Sequence, residues 1–220
     1  MKNKCSRCGL VNFAAAQNCV RCDTALTYTN SNSAKKHSVA GWLLVRAGAV
    51  VMTCVVIIAG FYLSLITSAD RLTYEQKGTV NRAIDVLRDK GFDTEAIMLS
   101  QFTAFRASDN WLNSSVAKEN AYAATNFPFE IITLYPDFFT YPVDDVERGA
   151  ILLHEARHLL GQGEKEAYEL VWRNRVRLGW TQQSHGNSPI WINVRQQTIE
   201  QVPELFNCSQ NEASDCSQGQ

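Results

Sequence analysis

The chain has 220 residues, 45% of them hydrophobic and 20% charged, with a net charge of −1, a composition ordinary for one or two globular domains. The charge is divided: residues 1–46 hold seven basic residues and one acid, and the remainder holds 14 basic and 21 acidic residues. Nothing in the acidic part suggests a nucleic-acid surface, and no nucleic-acid partner is expected.

Cys5, Cys8, Cys19 and Cys22 form two C-x-x-C pairs separated by ten residues. Four thiolates at this spacing suit tetrahedral zinc with no open position, which is the arrangement of a structural site. Residues 1–26 resemble the small zinc ribbons at the N-termini of many bacterial membrane proteins, with Gly9 after the second cysteine. Metal binding would fold a segment too small to hold a core by itself. Nothing in it names its cytoplasmic partner. Residues 27–38 are polar, without periodicity, and read as a flexible linker.

Residues 39–68 are expected to form a single transmembrane helix. Its centre, Ala47 to Thr67, is 21 residues without a charge, about 31 Å of helix and enough to cross a bilayer core. The run is too long and starts too late for a cleaved signal peptide. Lys35, Lys36 and Arg46 precede it, whereas Asp70, Arg71, Glu75 and Lys77 nearly cancel beyond it. The positive-inside bias then puts the N-terminus in the cytoplasm and everything after about residue 68 outside. Cys54 falls in the span as a small apolar side chain. Cys208 and Cys216 fall outside, where a disulfide can persist, with two free thiols as the alternative.

Residues 69–207 read as the outer domain and 208–220 as a polar tail. Leu72 to Lys90 carries Val80, Ala83, Ile84 and Leu87 at helical spacing and stops at Gly91. Asp93 or Thr94 can cap a second helix from Glu95 bearing Ile97, Met98, Phe102 and Phe105 as core residues. Asn110 to Asn126 shows no clear pattern. Phe129 to Phe139, rich in β-branched and aromatic residues and broken by Pro136, is expected as an edge strand ending near Tyr135. Asp144 or Asp145 can cap the next helix.

That helix carries Ile-Leu-Leu-His-Glu-Ala-Arg-His from Ile151 to His158. Positions four apart share a helix face, so His154 and His158 can offer two imidazole nitrogens to one ion. Glu155 then lies beside the metal, where a carboxylate can take a proton from water. A catalytic zinc needs a third protein ligand. On a continuous helix Glu164 would lie roughly 15 Å beyond His154 and about 80° off its face. Gly161 and Gly163 permit a helix end and a return of the chain. Glu166 and Glu169 are the substitutes, otherwise a solvated face of a helix from Glu164 to Leu178.

The run H-E-x-x-H-x-x-G-x-x-E from His154 to Glu164 is similar to the metzincin pattern, and Glu164-Lys165-Glu166-Ala167 is similar to the gluzincin E-x-x-A pattern. Both resemblances select Glu164 as third ligand. They imply an α+β fold, helix-rich and zincin-like with a small edge sheet, in which an exposed strand pairs with an extended substrate chain. They also imply a peptidase mechanism in which zinc on His154, His158 and Glu164 polarises the scissile carbonyl and activates water, with Glu155 as general base and proton donor. Tyr168, Tyr141 and His185 are candidate donors to the tetrahedral oxyanion. The expected protein is thus a membrane-anchored zinc peptidase acting on extracytoplasmic proteins or peptides. The rival is a membrane-tethered adaptor whose outer domain binds peptide without cleaving it.

Overall fold

The computed structural model describes residues 3–13, 15–26, 39–112, 114 and 122–206. The linker expected at 27–38, the tail and the pairing of Cys208 with Cys216 lie outside the described residues. The chain divides into two units, Met1–Cys54 and Val55–Gln220.

In the first unit, β1 (Asn3–Lys4) pairs antiparallel with β2 (Val11–Asn12), Asn3 opposite Asn12 and Lys4 opposite Val11. Gly9, at φ 72°, makes the turn between them, and the Cys5 amide donates to the Leu10 carbonyl at 2.8 Å. Among the described residues its buried apolar interior is Cys5, Cys19 and Leu26, with Cys8, Leu10, Ala16 and Cys22 packed against them, far too little to hold a fold unaided.

α1 (Val39–Thr67) is 29 residues, long and apolar enough to cross a membrane. Its side chains are exposed along most of its length, and only near its end, at Leu65, does one become fully buried.

Among the described residues the second unit is helix-rich with one small sheet. α2 (Tyr74–Asp89) starts at a capping box in which Thr73 and Gln76 exchange hydrogen bonds, and it buries Val80, Ala83, Ile84 and Leu87 as the periodicity requires. Gly91, at φ 78°, follows its end. The next element departs from expectation: α3 (Asp93–Ile97) begins two residues early after Phe92, then widens into a π-turn over Met98–Phe102. Phe102 is 68% exposed, and Phe105 belongs to the strand β3 (Ala104–Arg106), so this segment is not one core helix.

The sheet has the order β3-β5-β4, with β4 (Ala123–Asn126) antiparallel and β3 parallel to β5 (Ile131–Leu134). β5 is therefore the central strand and not the expected edge; all four of its residues are buried. Pro136 opens α4 (Pro136–Thr140), where its missing amide proton costs nothing.

α5 (Asp145–Leu159) is capped by Asp144, whose carboxylate accepts from the Val146 and Glu147 amides, both at 3.0 Å. Nine of its fifteen residues are buried, because it packs between α2, β4 and α6 (Glu164–Leu178). α7 (Gln182–His185) and α8 (Pro189–Gln201) follow, then a 3-10 turn at Pro203–Leu205. Trp172, Trp180, Trp191 and Phe206 form an aromatic cluster with ring centroids 4.9–6.3 Å apart. The fully buried Glu147 accepts from the Trp180 indole at 3.2 Å, the Val143 amide at 2.9 Å and the Ser188 hydroxyl. Those donors tie the start of α5 to the loops before α7 and α8.

Candidate metal centre

α5 ends where its sequence turns from leucine to glycine. Gly161 takes a left-handed φ of 73°, its amide donates to the His158 carbonyl at 2.9 Å, and the Gln162 amide donates to that of Arg157 at 3.1 Å. This pair of bonds is a Schellman stop. Gly163 is extended, at φ −83°, and caps α6, so only Gly161 uses the conformational freedom of glycine. The reversal brings Glu164, the first residue of α6, back over the last turn of α5.

Three donors then converge. His154 Nε2 and His158 Nε2 lie 3.0 Å apart, and the Glu164 carboxylate oxygens lie 3.2 Å from the first and 3.3 Å from the second. Ligand atoms about 2.05 Å from a tetrahedral ion are about 3.4 Å from one another, so the spacing fits a single small cation. His158 Nδ1 donates to the Gln162 carbonyl at 3.0 Å, which orients the ring with Nε2 toward the cluster. The Glu164 carboxylate holds the His158 imidazole up to about 9, against the opposing effect of burial. In return the two imidazoles hold Glu164 well below the usual carboxylate range.

Glu166 and Glu169 are occupied elsewhere. Glu166 accepts from the Gly163 amide at 3.1 Å as part of the cap of α6, and Glu169 pairs with Arg173 at 2.8 Å. Arg157 points away to Glu95, 3.6 Å distant.

Glu155 is 6% exposed, and its carboxylate accepts from the Thr125 hydroxyl of β4 at 2.7 Å. It lines, with His154, His158 and Glu164, a cleft of about 590 Å³. Tyr122 and the β4 residues Ala123 to Thr125 form one wall; Asn193, Gln197 and Gln201, spaced four apart on α8, form another. Neither wall was readable in advance. Thr125 sits in a four-residue strand within a stretch without pattern, and the amides of α8 look in sequence like any solvated helix face.

No family model matches this chain, and comparison with curated proteins and with solved structures returns no match. The geometry of the site therefore carries the reading.

The three candidate oxyanion donors separate. Tyr168 lines the cleft with its ring centroid 4.4 Å from that of His154. Burial, and then the Glu164 and Glu155 carboxylates, push its phenol well above the ordinary value, so it keeps its proton and can donate. Tyr141 packs edge-on to Tyr122 and is not among the residues lining the cleft. His185 is buried, 3.0 Å from Asp144 and 2.7 Å from the Ser184 hydroxyl, and braces the start of α5 instead.

The cysteine cluster is a second group able to hold a metal ion. Cys5 and Cys22 sulphurs lie 3.6 Å apart and those of Cys8 and Cys19 3.5 Å, close to the about 3.8 Å that four Zn–S bonds of about 2.3 Å impose. The Arg21 amide, opposed by burial but helped by the Cys22 amide and Asn12, holds the Cys19 thiol down to about 6. The Leu10 amide acts the same way on Cys8, but burial and the neighbouring thiols outweigh it and push that thiol up to about 11. Amides aimed at sulphur favour thiolates, the form that binds metal.

Proposed function

We propose that the protein is a membrane-anchored zinc peptidase with a structural zinc ribbon at its N-terminus. The observation that carries the reading is the convergence of His154, His158 and Glu164 on one point, with the Glu155 carboxylate beside them in an open cleft. Two imidazoles and one carboxylate suit Zn²⁺ and leave a fourth position open, as a catalytic site needs. Zinc held by these residues would supply Lewis acidity toward a carbonyl and lower the pKa of water toward neutrality.

The chain's own residues do the rest. Thr125 aims the Glu155 carboxylate into the cleft, where it takes the proton of the attacking water and returns it to the leaving amine. The Tyr168 hydroxyl donates to the oxygen on which negative charge develops. β4, at an edge of the sheet and along the cleft wall, offers backbone groups to an extended peptide. The cysteine ribbon, whose interior cannot hold it, takes a second zinc with no open position.

The basic residues before α1 support a cytoplasmic N-terminus and an outward-facing cleft. A reporter enzyme active only outside the cytoplasm, fused after Gln220, should be active; silence would reverse the orientation. The function itself is tested with zinc-loaded full-length protein in detergent and an unstructured protein as substrate. Chelator-sensitive cleavage that vanishes in Glu155→Gln is the expected result. Binding of peptides without cleavage of any would return the reading to a tethered adaptor.

A further inference from the structure

The end of α1 is not a free tether. The Trp111 indole donates to the Ser64 hydroxyl at 3.2 Å and packs edge-on against Phe61 at 5.4 Å. The Trp111 amide donates to the Ser68 hydroxyl at 3.3 Å, Arg106 donates to the Ile66 carbonyl at 3.2 Å, and Leu65 is fully buried. With its last turns built into the domain, α1 fixes the height of that domain above any bilayer it crosses.

The height can be read from the aromatic side chains. Tyr62 stands near the outer end of the charge-free run of α1, five residues before Thr67, where such a run leaves a bilayer's hydrocarbon core. Aromatic residues collect at both edges of that core. Arg46, one turn inside Trp42, stacks its guanidinium 3.8 Å from that indole, the posture of a side chain reaching back to the interface. Trp111, half exposed beside Phe61, and Leu112 then lie at the outer edge together with Tyr62.

The cleft is next to that level. In the turn between β4 and β5, Phe129 packs on Phe61 with centroids 5.2 Å apart, and Phe127 lines the cleft against Gly161. Two residues of extended chain reach about 7 Å at most. Phe127 is 61% exposed.

From this we infer that the cleft opens at the outer membrane–water interface, and that its substrates are membrane-anchored chains cut within a few residues of where they leave the bilayer. The inference rests on the peptidase reading and adds the substrate class to it. Confinement to the same membrane raises the effective concentration of such a chain.

Two measurements decide it, both on full-length protein in phosphatidylcholine vesicles. The first compares one cleavable sequence placed about five or about thirty residues after a transmembrane helix. The near site should be cut at least tenfold faster; equal rates, or a faster far site, overturn the inference. The second needs no catalysis. Fluorescence lost in Trp111→Phe should be quenched by lipids brominated near the headgroup, and an unquenched difference spectrum overturns the docking. Quenching with no cleavage of any substrate, including a soluble unstructured protein in detergent, overturns the peptidase reading, and with it the substrate class, while the docking stands.

Discussion

Gly161 is where the chain's return to the metal cluster is decided, and its replacement by alanine has a calculable effect. At φ 73° an L-residue costs about 1–2 kcal/mol. The new Cβ would also lie 3.3 Å from the Phe127 ring, a tight contact that the exposed ring can relieve by rotating. To the extent that the turn relaxes in the metal-free protein, binding must restore it, and a cost of about 1–2 kcal/mol weakens zinc affinity about 5- to 30-fold. Whatever fraction is not relaxed appears as lower thermal stability. Gly163→Ala is the control: its φ is −83°, and its Cβ meets a Glu166 carboxylate oxygen at 3.1 Å, the end of a flexible side chain. Chelator competition and thermal melts on both variants give the comparison. If Gly161→Ala keeps both wild-type affinity and wild-type melting, or if the two alanines behave alike, the left-handed stop does not position Glu164.

Glu155→Gln should abolish peptide cleavage while the zinc content of the protein stays unchanged, because the residue is placed at the cleft but outside the ligand group. Tyr168→Phe should lower kcat by about 10²-fold with KM and zinc content near wild type, the size of effect expected for one oxyanion donor. Cys19→Ser should reduce bound zinc from two ions per chain to one by elemental analysis, leaving the His154 cluster loaded. Asp144→Ala should cost about 1 kcal/mol in urea denaturation at pH 7 through the lost cap. Burial acts to raise the Asp144 carboxyl, but the Glu147 amide, His185 and the Val146 amide outweigh it and hold the carboxyl below its ordinary 3.8. Its stabilisation is therefore complete above about pH 4 and fades as pH falls through the lower folded value. A wild-type advantage that stays constant down to pH 2 would refute the assignment.

The parts of this fold that were legible are those written in consecutive residues. The period of α2, the span of α1, the cap at Asp144, the start of α6 at Glu164 and the two cysteine pairs all follow from spacing along the chain. Glu164 itself was legible because two glycines stood where a continuous helix would have carried it away. The sheet was not. Strands of three and four residues hold too little alternation to read, and the order β3-β5-β4 is set by pairings such as Phe105 with Ile132 and Thr125 with Ile132. The apolar run at Ile131 was consistent with edge or centre, and only the neighbours on both sides made it central. Thr125 was invisible for the same reason, since its contact with Glu155 spans thirty residues of sequence.

The break between α5 and α6 does more than shorten a distance. It places the C-terminal turn of α5, with His154 and His158, against the N-terminal residue of α6, Glu164. The C-terminal end of a helix carries partial negative charge and favours a cation near it, and the N-terminal end favours a carboxylate, each by about 0.3–1 kcal/mol. A cation held by this cluster would sit where both apply, at the end of α5 and beside the Glu164 carboxylate at the start of α6. A straight helix would have supplied neither the third ligand nor the second terminus. The glycine stop thus assembles the ligand geometry and the electrostatics in one step, so loss of the Gly161 turn should weaken zinc binding more than loss of any single wall of the cleft.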